Sequence, residues 1–240
     1  MDYLQPDWPV PDNIGALTTT RLGGVSQGAF EGWNLGLHVG DDPDAVQQNR
    51  LALARTVHGE LTWLEQVHGT EVVRLPYRGT HPQADAAFTE TIGQICTVMT
   101  ADCLPVLFCS HDGHQVAAAH AGWRGLLKGV LESTLSFFDQ PDRCFIWLGP
   151  AIGPQAFEVD DEVYQAFTSY SSQAKSAFSP QNSGKYLADL YALATQRLRA
   201  AGVTEIYGGS LCTYQQADQF YSYRRDGQTG RMATCIWRKK

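Results

Sequence analysis

The chain has 240 residues, 43% of them apolar and 18% charged, an ordinary globular composition with enough apolar residues for one large packed core or two small ones. Its formal charge of −7 argues against a broad electrostatic footprint for nucleic acid or anionic membranes, so an anionic small-molecule substrate has to be held by local arginines. The opening MDYLQPDWPV has neither a basic region nor an apolar one, no run of about 18 apolar residues occurs, and six scattered cysteines include no CxxC pair, which together predict a cytoplasmic protein with reduced thiols.

In chain order, Ala16 to Thr20 reads as a strand that runs into Arg21-Leu22-Gly23-Gly24-Val25-Ser26-Gln27-Gly28. The glycines allow a sharp turn and close approach to a ligand, and Arg21 and Ser26 can both donate hydrogen bonds; the same pattern also describes a plain loop with a solvated arginine. Asp42 as N-cap and Pro43 at the first helical position open a helix that reaches about Val57. Leu61 to Val73 reads as two extended runs that break at His68-Gly69. Ile95 to Thr100 is a buried strand delivering the chain to Asp102 and Cys103. Pro105 cannot donate a ladder bond, so the next strand, to Cys109, is expected at a sheet edge or broken near Cys103.

Leu104 to Cys109 and Gln115 to Ala119 flank Ser110-His111-Asp112-Gly113, a turn signal between two strand-like runs. A turn centred between His111 and Asp112 makes Cys103 and His120 cross-strand partners, with Cβ atoms about 4.5 to 5.5 Å apart. Past His120 the apolar period becomes helical, through Trp123, Leu126, Leu127, Val130, Leu131, Leu135 and Phe138, which places His120 on a strand-to-helix connection. Further on, Cys144 to Leu148 and Phe157 to Val159 read as strands, Asp160 to Tyr170 and Tyr186 to Ala201 as helices, and Ser171 to Gly184 as a polar, mobile connection. Glu205 to Tyr207 and Ala233 to Trp237 close the chain as strands, joined by the arginine-bearing Tyr221 to Gly227. No repeat or linker divides the chain, so one mixed α/β domain spanning 1–240 is expected.

The chemistry of a Cys and His pair stays open at this level. With a third histidine it makes a zinc site with a free fourth position, but His68 competes with His38, His58, His81, His111 and His114 for that role. Without metal, His120 could deprotonate Cys103 for acyl transfer, with Asp102 or another acid orienting the ring. Cys103 could equally be a core thiol and His120 a structural residue, and the glycine loop with its arginine could belong to a module that binds a nucleotide without turnover.

A resemblance narrows these readings. TTRLGGVSQG at Thr19 to Gly28, QVHG at Gln66 to Gly69, TADCLPVL at Thr100 to Leu107 and HAGWRG at His120 to Gly125 occur in family order, followed by GPAIGPQAFEV, LCT and YSYRRDGQTGR. The chain resembles the YfiH or laccase-domain family of purine nucleoside phosphorylases, formerly described as polyphenol oxidases. The resemblance implies a four-layer α/β/β/α sandwich with mixed sheets, similar to the cytotoxic necrotizing factor catalytic fold. It implies zinc held by His68, Cys103 and His120, with Cys103 and His120 at the catalytic centre. Phosphorolysis of adenosine, inosine, guanosine and methylthioadenosine is the activity implied, with adenosine deamination beside it; copper-dependent phenol oxidation has also been attributed to the family. Purine nucleosides and phosphate are then the partners, with Arg21 and Ser26 expected to hold phosphate or ribose, and Asp102 is either a proton shuttle or a structural acid. A single Cys/His₂ site in a reducing compartment favours zinc over copper.

Overall fold

Alternation along the strands explains the layering. In the Leu104–Ser110 strand, Leu104, Val106 and Phe108 join one apolar cluster while Leu107 and Cys109 join another, and Val116–Ala121 divides its residues between the same two clusters. A strand buried on both faces belongs to an inner sheet. The computed structural model describes residues 2–239 and arranges them around two such sheets.

The first sheet has five strands in the order Tyr3–Leu4, Ile14–Thr19, Met232–Arg238, Gln94–Thr100, Glu60–Thr62. The second has six, in the order Glu205–Gly208, Cys144–Leu148, Leu104–Ser110, Val116–Ala121, Ala86–Thr89, Val72–Leu75. Each mixes parallel and antiparallel pairs. Three apolar clusters separate four layers. Leu53 and Val57 of the Pro43–Val57 helix pack with Leu17, Ile95 and Cys235 of the five-stranded sheet. Val98 and Ile236 of that sheet meet Leu107, Val116 and Ala118 of the other between the two sheets. On the far side, Val106, Phe108 and Ala119 meet Leu126, Leu131, Phe167 and Leu198, from four helices that cover the six-stranded sheet. The result is the expected α/β/β/α sandwich. A small sheet of Glu158–Asp160, Lys185–Ala188 and Phe178–Pro180 sits on this helical side.

The predicted Pro43 helix is observed with its expected cap, Asp42 accepting from Asp44 N at 3.0 Å. Other expectations are corrected. The helix expected from Tyr186 begins at Leu190, because Lys185–Ala188 pairs on both sides as a strand and Asp189 caps the helix by accepting from Ala192 N. The run after His120 forms two short helices, Trp123–Lys128 and Val130–Leu135, interrupted at Gly129, whose φ of 101° ends the first. Ser171 to Gly184 carries 3₁₀ turns and the Phe178–Pro180 strand. His120 lies inside its strand, one residue from the end.

The hairpin register also differs. Leu104 pairs with Ala121 and Pro105 with His120, so partners sum to 225 where a turn between His111 and Asp112 requires 223. Gly113 takes φ of 68°, and Asp112 accepts from Ser110 Oγ at 2.6 Å and His114 N at 3.0 Å, which lengthens the loop. A slip of two residues preserves the face on which each side chain lies. Cys103 and His120 therefore stay on the inter-sheet side, as diagonal neighbours. Pro105 does not sit on an edge strand, since its strand is internal; it lies beyond the last pair with Cys144–Leu148, where its carbonyl accepts from Gly149 N and no donor is needed. The chain does break just before it, at Asp102, with φ of 87°.

Candidate metal and substrate site

The Gln94–Thr100 strand of one sheet leads through Ala101, Asp102 and Cys103 into the Leu104–Ser110 strand of the other, so Cys103 lies where the chain crosses between sheets. Asp102 holds that crossing in the left-handed region, a strained choice for a non-glycine residue. Its carboxylate accepts from Thr213 Oγ1 at 2.6 Å and from Arg224 N at 2.7 Å, and its carbonyl accepts from Ile152 N at 2.9 Å. Both carboxylate oxygens are engaged in tying loops together, which makes Asp102 a structural clamp behind Cys103.

His120 is buried, and its partner is one that the sequence reading missed. Asp85, fully buried, meets His120 Nδ1 at 2.7 Å, and its carbonyl accepts from His120 N at 2.7 Å. The same carboxylate accepts from the backbone of Val67, His68 and Gly69 at 3.2, 3.0 and 2.6 Å. One buried acid thus orients the His120 ring and also grips the turn that presents His68, whose φ is 58°. Burial works against the Asp85 charge, but His120 and the loop N–H groups outweigh it and hold the carboxyl below its usual range. Gln66 fixes the other side of this turn, donating to Met99 O at 2.8 Å and accepting from Met99 N at 2.7 Å. The signal for Asp85 was an acid set among small apolar residues, Ala84-Asp85-Ala86-Ala87.

One ligand atom each from His68, Cys103 and His120 lies within 4.8 Å of the others, the one such group of His, Cys, Asp or Glu among the described residues. Two features fit a metal ion. His68 Nδ1 is buried with no hydrogen-bond partner. Gly122 supplies the space: a Cβ there would lie 2.5 Å from His68 Nδ1 and 3.0 Å from Cys103 Sγ. A soft thiolate and two imidazoles suit zinc or a related borderline ion, and Asp85 behind His120 is the carboxylate–histidine support typical of such centres. Burial lowers the His68 pKa, helped by His120. For His120, burial is overcome by the Cys103 thiolate and Asp85, which raise the ring pKa to about 9.

These residues open into a cleft of about 930 Å³. Trp63, Trp123, Phe157 and Tyr223 give it aromatic walls, and Arg50, Arg124, Arg224 and Arg231 line it. Among the described residues none of these four guanidinium groups has a carboxylate within 4.0 Å, although the chain carries 25 acidic residues. Arg21 and Ser26 line a different cleft, of about 480 Å³. Arg21 donates to Ala217 O and lies over the Tyr221 ring, while Ser26 donates to Asp41 and accepts from Asn49. The structure brings together His68, Cys103 and His120, and leaves Arg21 and Ser26 outside that group.

Residues 15–239 match the family described as multi-copper polyphenol oxidoreductase laccase. The chain is 53% identical over 240 residues to purine nucleoside phosphorylase YfiH of Escherichia coli, covering 98% of each chain. It is 51% identical to a purine nucleoside phosphorylase of Haemophilus influenzae, covering 99% of each. Among solved structures, a Neisseria meningitidis protein superposes with a TM-score of 0.98 at 50% identity and complete coverage of both chains. YlmD from Geobacillus stearothermophilus superposes with a TM-score of 0.92 at 31% identity, covering 100% of this chain and 97% of that one. Agreement of motif, fold and length from end to end places this chain in the laccase-like YfiH family.

Proposed function

We propose that the chain is a zinc-dependent purine nucleoside phosphorylase acting on adenosine, inosine, guanosine and methylthioadenosine, with adenosine deamination as a side activity. The observation that carries the reading is the His68, Cys103 and His120 group opening into a cleft with aromatic walls and four guanidinium groups that have no carboxylate within 4.0 Å among the described residues. The names borne by relatives at about half identity support it.

Phosphorolysis forms a bond from a phosphate oxygen to C1′ of the ribose and breaks the C1′–N9 bond, whose electron pair leaves with a purine that takes up a proton. The chain's part is to place the two reactants and exclude water. Aromatic side chains at Trp123, Phe157 and Tyr223 offer stacking surfaces for a purine and its sugar, and the arginines offer bidentate contacts to phosphate. His68 Nδ1, Cys103 Sγ and the His120 nitrogen facing away from Asp85 would hold the zinc, which supplies Lewis acidity when bound. Asp85 keeps the His120 ring in the orientation that a ligand needs. The single group of three donors among the described residues argues against an assembly of several coppers.

The test is metal analysis of chelator-washed protein together with phosphate-dependent release of base from inosine and adenosine, for the wild type, Cys103→Ala and His68→Ala. Zinc near one equivalent, with turnover lost in both variants, is expected. Unchanged phosphorolysis in both variants overturns the site. Activity that survives complete zinc removal and is lost on thiol alkylation indicates a metal-free Cys/His hydrolase instead, and oxygen-dependent phenol oxidation restored by copper indicates an oxidase.

A further inference from the structure

Four arginines line the cleft, but they are not equivalent. Arg124 and Arg224 are exposed and lie against aromatic rings, Arg124 at 4.3 Å from the Trp123 centroid and Arg224 at 5.4 Å from that of Phe157. The Arg224 guanidinium also donates to Glu158 O. Arg50 and Arg231 are drawn inward. Arg50 is only 8% exposed, stacked 3.9 Å over Trp63 and tied to Leu35 O through Nε, and among the described residues its Nη1 has no hydrogen-bond partner. Arg231 lies across Gly36, where an added Cβ would meet its Cγ at 2.9 Å. Its Nη1 donates to the carbonyls of Thr229 and Gly230, and among the described residues its Nε and Nη2 are unpartnered. His38, on the Leu37–Val39 turn, is close enough to feel both cations.

A desolvated guanidinium without a counter-charge is costly, and two lining one cleft are costlier still. Against them the cleft offers two acids, Glu65 and Asp102, and the Asp102 carboxylate is already engaged by Thr213 and Arg224. A bound anion with several acceptor oxygens would neutralise the cluster and satisfy the free N–H groups together. We propose that Arg50, Arg231 and His38 form the subsite for inorganic phosphate, the role that the sequence pattern suggested for Arg21. The assignment rests on the phosphorylase reading, and it puts the attacking anion in the cleft that Cys103 and His120 also line.

Two measurements separate the subsite from the reaction. Calorimetric titration with inorganic phosphate alone is made on the wild type, Arg21→Gln, Arg231→Gln and His38→Gln, the last an exposed position where folding is not at stake. Steady-state kinetics on the same proteins give KM for phosphate and for inosine. Arg231→Gln is expected to weaken phosphate binding and raise the phosphate KM about tenfold or more, with the inosine KM held within about twofold, and His38→Gln to do the same to a smaller degree. Equal phosphate affinity in wild type and Arg231→Gln, a shift confined to the inosine KM, or a larger effect from Arg21→Gln overturns the assignment. If the wild type does not release base at all, the functional reading fails, and the titration still decides the subsite.

Discussion

Two clefts in this protein carry an arginine and a serine or cysteine on turn-forming backbone, yet they have opposite characters. Around the glycine loop no buried polar side-chain atom lacks a partner among the described residues. Asn49 accepts from Val25 N and donates to Ser26 Oγ and Asn34 O, Ser26 donates to Asp41, and Arg21 is paired with the Ala217 carbonyl. Around Cys103 the satisfied groups stand one step back, at Asp85, Gln66 and Asp102, while His68 Nδ1, at the cleft, is buried with no hydrogen-bond partner among the described residues. Buried polar groups normally find partners, so a buried ring nitrogen left without one at a cleft marks where a ligand completes the structure. Residue type alone does not separate the two clefts; the unpartnered nitrogen of His68 does.

The largest way to break the contrast is to remove a donor from the second cleft. Cys103→Ala and His68→Ala are expected to lower phosphorolysis roughly 100-fold or more and to abolish stoichiometric metal, read by elemental analysis and base release. Filling the space without removing a donor should have a similar but smaller effect. Gly122 has φ of −62° and ψ of 157°, which alanine adopts freely, so Gly122→Ala should keep its thermal unfolding profile while losing metal affinity by about 10- to 100-fold through the Cβ set against His68 Nδ1 and Cys103 Sγ. Tight metal binding in that variant would show that the space is not the ligand's.

The glycine-loop cleft predicts the reverse pattern. Asn49→Ala strands Val25 N, Ser26 Oγ and Asn34 O, and should cost about 2–4 kcal/mol in denaturant unfolding, with metal content per folded molecule unchanged. Lost metal at full stability would mean that this loop serves the site directly. The smallest expected effect lies at the hairpin turn that sets the register. Ser110 Oγ and the His114 N–H hold the Asp112 carboxyl below its ordinary pKa. A depressed carboxyl stabilises the fold above its unfolded pKa, near 4, and that contribution fades as pH falls through the folded value. Asp112→Asn should cost about 1 kcal/mol at neutral pH and flatten the acid limb of the stability curve below about pH 4, with the site's metal retained.

Local chemistry was legible in the chain. Asp42-Pro43 started a helix where a cap and a fixed φ require one, and the two-residue period of the strands around Cys103 and His120 set both side chains on one face, a result that survived the change of register. The motif resemblance supplied His68, which no spacing rule selected from the other histidines. Asp85, Arg50 and Arg231 were not legible, because each owes its role to residues 13 or more positions away: Asp85 to the His68 turn and His120, Arg50 to Leu35 and Trp63, Arg231 to Gly36. That Arg21 and Ser26 line a separate cleft was not legible for the same reason, since a glycine loop reads alike whether it closes on Asn49 or on a ligand.

By itself, then, the amino-acid sequence determined most of the elements and the faces on which their side chains lie, since these depend on backbone preference and periodicity over a few residues, while the set of three donors came from the motif resemblance. Which of its arginines face a cleft without a counter-charge, and which acid holds two histidine-bearing segments in place, was decided when two sheets packed face to face and the chain crossed between them at Asp102. Those are properties of long-range proximity and desolvation, and they exist only in the folded molecule.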